Sequence, residues 1–299
     1  MTFVDRLIVH RTSEQVHVRC PAKVNLFLKV LGKRSDGYHE IQTVMQTVTL
    51  FDELKVLKKT SGVSLLCWGE DVKESPENNL VFKAANLFLN RVHIRGGVRL
   101  ELKKNIPIAA GLGGGSSDAA CCLLALNELF GRSLPIGELK SLATQLGSDV
   151  PFFIEGGAAL CTGRGEIVKL LRPAPQFGGI LLVPKTSLKT TDMYASLKPE
   201  DFHDPDLEPT LRAIESGDLS RLSSALFNSF QRVALQKVPE LVDLKSRLER
   251  VGSLAVVLSG SGPTLLGIFP GASEAEAALS RLTHEELAKT RFASTVTPF

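Results

Sequence analysis

The chain has 299 residues, 43% of them hydrophobic and 22% charged, with a formal net charge of +3. That length suffices for one large core or two domains, and the composition is that of a soluble globular protein rather than a disordered or fibrous one. No basic run exceeds a pair such as Lys58-Lys59 or Lys103-Lys104, and no apolar run approaches membrane-spanning length, so neither a nucleic-acid groove nor a membrane span is expected.

The opening, Met1 to Arg19, has neither a signal-peptide core nor a transit-peptide composition, so a cytoplasmic protein is expected, with a short extension leading into a first strand. The five cysteines are odd in number and lack Cys-x-x-Cys spacing, which fits reduced core residues. From Lys23 to Val30 the even positions are all apolar, so a period of two places Lys23, Asn25 and Phe27 on the opposite face. Taken alone, Lys23 and Asn25 there are compatible with plain solvent exposure. Gly32 to Gly37 reads as a turn, followed by Tyr38-His39 and a strand-like run to Leu50. Further strands are expected at Leu54–Leu57 and Ser64–Trp68, and a helix over Leu80–Leu89 capped by Asn78 or Asn79.

Val98, Leu100 and Leu102 alternate with charged residues as in a half-buried strand. They lead into Ile106-Pro107-Ile108-Ala109-Ala110-Gly111-Leu112-Gly113-Gly114-Gly115-Ser116-Ser117-Asp118-Ala119-Ala120, and then into a helical pattern from Ala119 to Leu129. Four glycines in five positions strip the backbone of side-chain bulk where a helix begins. The first N–H groups of a helix lack internal partners and carry the positive end of its dipole, so this stretch is built to cradle a phosphate. A Walker A loop would need Lys and then Ser or Thr after Gly115, and Ser116-Ser117 stand there instead. A dinucleotide fingerprint fails in either register, meeting Ser116 or Asp118 at its third small position.

Farther on, Ser133 is expected to cap a helix ending at Gly147. Gly147-Ser148-Asp149-Val150-Pro151-Phe152-Phe153 places an acid before an apolar segment, where it could simply cap one turn of helix. Pro173, Pro175 and Gly178-Gly179 mark the best linker, dividing the chain into residues 1–172 and 173–299. Beyond it we expect a strand at Ile180–Val183, a polar loop Pro184–Thr191, helices at Asp206–Glu215, Leu219–Phe227 and Glu240–Arg250, strands at Leu254–Leu258 and Leu265–Phe269 around Ser259-Gly260-Ser261-Gly262-Pro263-Thr264, a helix Ser273–Leu282 and a strand Ala293–Thr297.

The signature Pro-x-x-x-Gly-Leu-Gly-Gly-Gly-Ser-Ser-x-Ala-Ala resembles the ATP loop of the GHMP kinases. Pro21-Ala22-Lys23-Val24-Asn25-Leu26, Asp36-Gly37-Tyr38-His39, Gln42-Thr43, Gly-x-Asp-Val-Pro-Phe at Asp149 and the 259–264 loop are similar to one branch, the 4-diphosphocytidyl-2-C-methyl-D-erythritol kinases. The resemblance implies an α+β, two-domain GHMP kinase fold with the active site in the interdomain cleft. It implies transfer of the γ-phosphoryl of ATP to the 2-hydroxyl of 4-diphosphocytidyl-2-C-methyl-D-erythritol, a step of non-mevalonate isoprenoid synthesis. The alternatives are another GHMP small-molecule kinase or a non-catalytic, ligand-sensing member. By the same resemblance, residues Pro107 to Ser117 hold ATP, and Asp149 accepts the hydroxyl proton. Lys23 orients Asp149 and stabilises the transferring group, Asn25 faces the acceptor, Tyr38 and His39 receive its cytidine end, and Thr190 lies near it. Mg²⁺ is expected with ATP, with Ser116 or Ser117 a candidate ligand and no acidic ligand assignable. The expected partner is the small-molecule substrate, with no nucleic acid or membrane, for a monomer or homodimer.

Overall fold

The computed structural model describes residues 3–69, 75–202, 205–288 and 290–299. The chain forms two compact units, neither of them continuous in sequence: residues 1–22, 50–108 and 113–156 make the first, and 23–49, 109–112 and 157–299 the second. The boundary falls inside two long strands, β2 (Gln15–Lys33) and β3 (His39–Lys59), each contributing one part to each unit.

In the first unit a short helix α1 (Phe3–Leu7) and strand β1 (Ile8–Arg11) occupy the opening that the sequence leaves as an extension. The later part of β3 pairs antiparallel with β5 (Gly97–Lys104), Glu53 standing opposite Lys103. Strand β4 (Gly62–Gly69) lies parallel to β5 at the sheet edge, and its half-exposed side chains match that position. Val98, Leu100 and Leu102 are fully buried, as their alternation predicts. Helix α2 (Leu80–Val92) begins on Asn79, whose side chain accepts from Val81 N at 2.9 Å.

Helix α3 (Gly114–Leu129) is buried from Ser117 through Asn127, and it packs against α2 and α5 (Val150–Glu155). A helix apolar all round must be central, and the Ala-Cys-Leu sequence of α3 is of that kind. It starts five residues earlier than the sequence predicts, inside the glycine run. Helix α4 (Ile136–Leu146) starts after Pro135 with no side-chain cap, and Ser133 plays no capping role. The residue before a proline is pushed out of helical backbone, which moves the start past 135.

In the second unit the earlier part of β3 pairs with β6 (Ala158–Thr162), and β6 pairs with β7 (Ile167–Leu170). A second, antiparallel sheet has the order β10-β11-β8-β12, from β8 (Gly178–Pro184), β10 (Ala255–Leu258), β11 (Leu265–Phe269) and β12 (Thr290–Val296). Its remaining elements are α6 (Thr190–Ala195), α7 (Glu208–Ser216), α8 (Leu219–Ser224), β9 (Phe227–Asn228), α9 (Gln231–Lys237), α10 (Pro239–Arg250), α11 (Ala272–Ser280) and α12 (His284–Leu287). Leu28, Val30 and Ile41 join Ile180, Leu182, Phe230, Leu241 and Leu244 in its core.

Two expectations fail here for tertiary reasons. The helix predicted to Phe227 stops at Ser224 because Phe227 and Asn228 pair in parallel with Phe27 and Leu28 of β2. The polar loop predicted to Thr191 gives way to α6 at Thr190. Among the described residues no helix is long and apolar enough to cross a membrane.

Candidate active site

The glycine loop opens α3 without any side-chain cap. Gly113 sits at the N-cap in left-handed backbone, φ 70°, and Ser117 N is the first to bond back, to Gly113 O at 2.9 Å. The N–H groups of Gly114, Gly115 and Ser116 therefore lack an intrahelical partner, at the positive end of a 16-residue helix. Ser117 is fully buried, and its Oγ has no hydrogen-bond partner among the described residues. This part of the first unit offers an anion three aligned backbone donors and no competing side chain.

Residues 109–112 belong to the second unit and are pinned by their carbonyls. Thr264 Oγ1 donates to Ala110 O at 2.6 Å, Ser259 Oγ to Gly111 O at 3.0 Å, and Lys23 N to Leu112 O at 2.9 Å. Gly111 has φ 77°, and a Cβ there would stand 2.2 Å from Ser259 O, so only glycine fits. The 259–264 loop thus serves to hold the approach to the glycine run.

Lys23 and Asn25 do not lie on a solvent face: they are 3% and 0% exposed. Strand β2 is buried on both faces over this stretch, so its period of two says nothing about exposure. The Lys23 ammonium donates to Asn25 Oδ1 at 2.6 Å, and Gly260 N donates to the same oxygen at 2.8 Å. Asn25 Nδ2 donates to Thr43 Oγ1 at 2.7 Å, and that hydroxyl donates to Phe27 O at 2.6 Å. With every polar atom of Asn25 engaged, its amide orientation is fixed and Lys23 is held in place. A buried ammonium is costly unless so compensated.

Tyr38 is 53% exposed, and the Arg164 guanidinium lies 4.5 Å from its ring centroid. Asp36 Oδ1 accepts from Tyr38 N, and Glu40 Oε1 from Gly163 N, fixing the bend to the 163–166 turn. His39 does not stand alone beside Tyr38: it stacks on Tyr194 of α6, centroids 4.4 Å apart at 20°. Tyr194 in turn meets Phe230 edge-on at 4.8 Å. Burial, then the charge of Lys33, lowers the His39 pKa below its ordinary 6.5. Tyr194 is missed by sequence reasoning because α6 is short and polar. Thr190 begins the same helix, its hydroxyl 2.9 Å from Ser261 Oγ of the 259–264 loop.

Asp149 lies in the first unit at the N-cap of α5, yet its side chain makes no capping bond, so the simple capping role is not the one it plays. No cluster of three or more His, Cys, Asp or Glu side chains suited to a metal occurs among the described residues.

Residues 79–157 match the GHMP kinases N terminal domain, and 210–289 the GHMP kinases C terminal domain. The 4-diphosphocytidyl-2-C-methyl-D-erythritol kinase of Pelotomaculum thermopropionicum is 42% identical over 274 residues, covering 90% of this chain and 95% of that protein. That of Acetivibrio thermocellus is 38% identical, covering 91% and 96%. A crystal structure of 4-(cytidine 5'-diphospho)-2C-methyl-D-erythritol kinase matches with a TM-score of 0.78 at 37% identity, covering 95% of this chain and all of that one. Mevalonate kinase from L. major shares the fold, with a TM-score of 0.74 at 15% identity over 98% of this chain and 97% of its own. By this likeness along nearly its whole length, the chain belongs to the 4-diphosphocytidyl-2-C-methyl-D-erythritol kinase family of the GHMP kinases.

Proposed function

We propose that the chain moves the γ-phosphoryl of ATP to the 2-hydroxyl of 4-diphosphocytidyl-2-C-methyl-D-erythritol, in the cytoplasm, as a step of methylerythritol phosphate isoprenoid synthesis. The chain is an ATP-dependent kinase by family. The observation that carries the site is the uncapped start of α3, where the N–H groups of Gly114, Gly115 and Ser116 await an anion. In this reading Pro107 to Ser117 hold the nucleotide, and the first-turn N–H groups take its phosphates. Phosphoryl transfer asks a protein mainly to position reactants and offset charge. Lys23 supplies positive charge to the transferring group, Asn25 fixes the ammonium and faces the acceptor, and Asp149 takes the hydroxyl proton. Tyr38 stacks on the cytosine, His39 reads a polar edge of the base, and Thr190 lies near the acceptor. Tyr194 joins this set through its stack on His39.

Mg²⁺ fits the same place: the Ser117 hydroxyl is a buried oxygen without a partner, and Ser116 precedes it. Bound with ATP, the ion would offset phosphate charge. ATP consumption coupled to a reporter, with and without the cytidine substrate, tests the reading. Turnover that needs the cytidine substrate supports it. ATP binding without turnover on any alcohol would make the chain a ligand sensor instead.

A further inference from the structure

Within the first unit lies a buried charge cluster that this chemistry does not use. Asp52 Oδ1 accepts the N–H groups of Asn105 at 2.6 Å and Ile106 at 2.8 Å, where β5 ends and the glycine segment begins. Its Oδ2 accepts from the Lys104 ammonium, which also donates to Asp118 Oδ2, one turn into α3, at 2.5 Å. The side chains of Asp52, Lys104 and Asp118 are 0%, 8% and 2% exposed. A Cβ built on Gly114 would stand 3.3 Å from Lys104 Nζ, so the ammonium lies against the backbone that opens the helix.

We propose that Asp52, Lys104 and Asp118 form a positioning brace that ties the entry of the glycine segment to the first turns of α3, so that its free N–H groups are already aimed when ATP arrives. The inference rests on the assignment of this loop to the ATP phosphates. Preorganised donors bind an anion without first paying to order themselves, so a brace raises affinity while touching no ligand. The alternative, that the cluster exists for stability, is the weaker account. Buried ion clusters are commonly no more stabilising than packed apolar side chains of similar volume.

The two acids have different duties. Asp52 receives three donors on two oxygens, which only an acceptor on both sides can satisfy. Asp118 needs to present one oxygen to Lys104, and its other oxygen has no hydrogen-bond partner. An amide at 118 still presents one oxygen to Lys104, whereas an amide at 52 turns a donor toward either Lys104 or the two backbone N–H groups.

Calorimetric titration of the full chain with ATP, and separately with the cytidine acceptor, tests the brace. We expect Asp52→Asn and Asp118→Leu each to weaken ATP by about tenfold or more, with acceptor affinity held within about twofold and Asp118→Asn close to the parent for both ligands. Unchanged ATP affinity in the folded Asp52→Asn and Asp118→Leu proteins overturns the proposal. So does equal weakening of both ligands, the mark of a merely structural role, or a loss in Asp118→Asn as large as in Asp118→Leu. Should those two variants fail to fold, Lys104→Met is judged by the same pair of titrations. Gly114→Val separates the layers of the argument: if it keeps ATP affinity the loop assignment fails, and if it alone loses affinity only the brace does.

Discussion

The opening of α3 and the Tyr38-His39 bend, the places proposed for the two ligands, are built by opposite means. At the helix the proposed ligating groups are backbone N–H, the side chains are removed by glycine, and the positions are consecutive. At the bend the groups are rings, Tyr38, His39, Tyr194 and Phe230, and three of them are set by a neighbour: Tyr38 by the Arg164 guanidinium, His39 by Tyr194, Tyr194 by Phe230. A backbone site fails when bulk is added, and a side-chain site fails when bulk is removed. The Lys23–Asn25 pair stands between these cases, a side-chain site locked by backbone through Gly260 N.

The largest effects should come from the pair assigned to the chemistry. Asp149→Asn and Lys23→Met are each expected to cut kcat at least about a hundredfold with little change in substrate dissociation constants, since a general base is worth roughly 10² to 10⁴ in rate. If the two act as a unit, the double variant will be scarcely slower than either single one, and additive losses would assign Lys23 to phosphate charge alone. Near-normal turnover in a folded Asp149→Asn protein would remove the base from the account.

Next comes the ring site. Base–aromatic stacking is worth about 1–3 kcal/mol, so Tyr38→Ala should weaken the cytidine acceptor by roughly 5- to 150-fold and leave ATP binding alone. An acceptor lacking the cytidine that is phosphorylated as well as the full substrate would break the contrast drawn here.

The backbone site answers to the reverse change. Gly114→Val brings a side chain against Ile106 and Lys104 Nζ, within 3.1 to 3.3 Å at its Cβ alone, and crowds the phosphate approach. ATP should bind at least about tenfold more weakly, about 1.4 kcal/mol, by calorimetry.

The smallest effect is a pH dependence. Burial favours neutral His39, so its pKa lies below 6.5 and the ring is uncharged from neutral pH upward. Acceptor KM should stay flat above pH 7 and rise by a few-fold only as pH falls below 6.5, while ATP KM does not follow. A His39→Gln protein should lose that rise.

The helix opening stood out in the sequence because four glycines in five residues have few structural uses. Asp149 and Lys23 entered the reading only through resemblance, because an acid before Val-Pro-Phe-Phe and a lysine in an alternating strand each have an ordinary alternative. The alternation even misled, since β2 buries both faces and Lys23 with them. Tyr194 and the Asp52–Lys104–Asp118 cluster could not be seen. Their partners lie far off in sequence, Tyr194 against His39 and Asp52 against Lys104, and no local period records such distances. Phe227 looked helical for the same reason, its strand being made only by its neighbour.

The two compact units exchange the chain at 22/23, 49/50, 108/109, 112/113 and 156/157. A gene fragment can therefore encode neither of them as one uninterrupted piece. A piece that starts at Gly157 would lack residues 23–49, and with them Leu28, Val30 and Ile41 of its core as well as Lys23, Asn25, Tyr38 and His39. Exchange of one continuous piece of chain at that junction would therefore divide the core of the second unit.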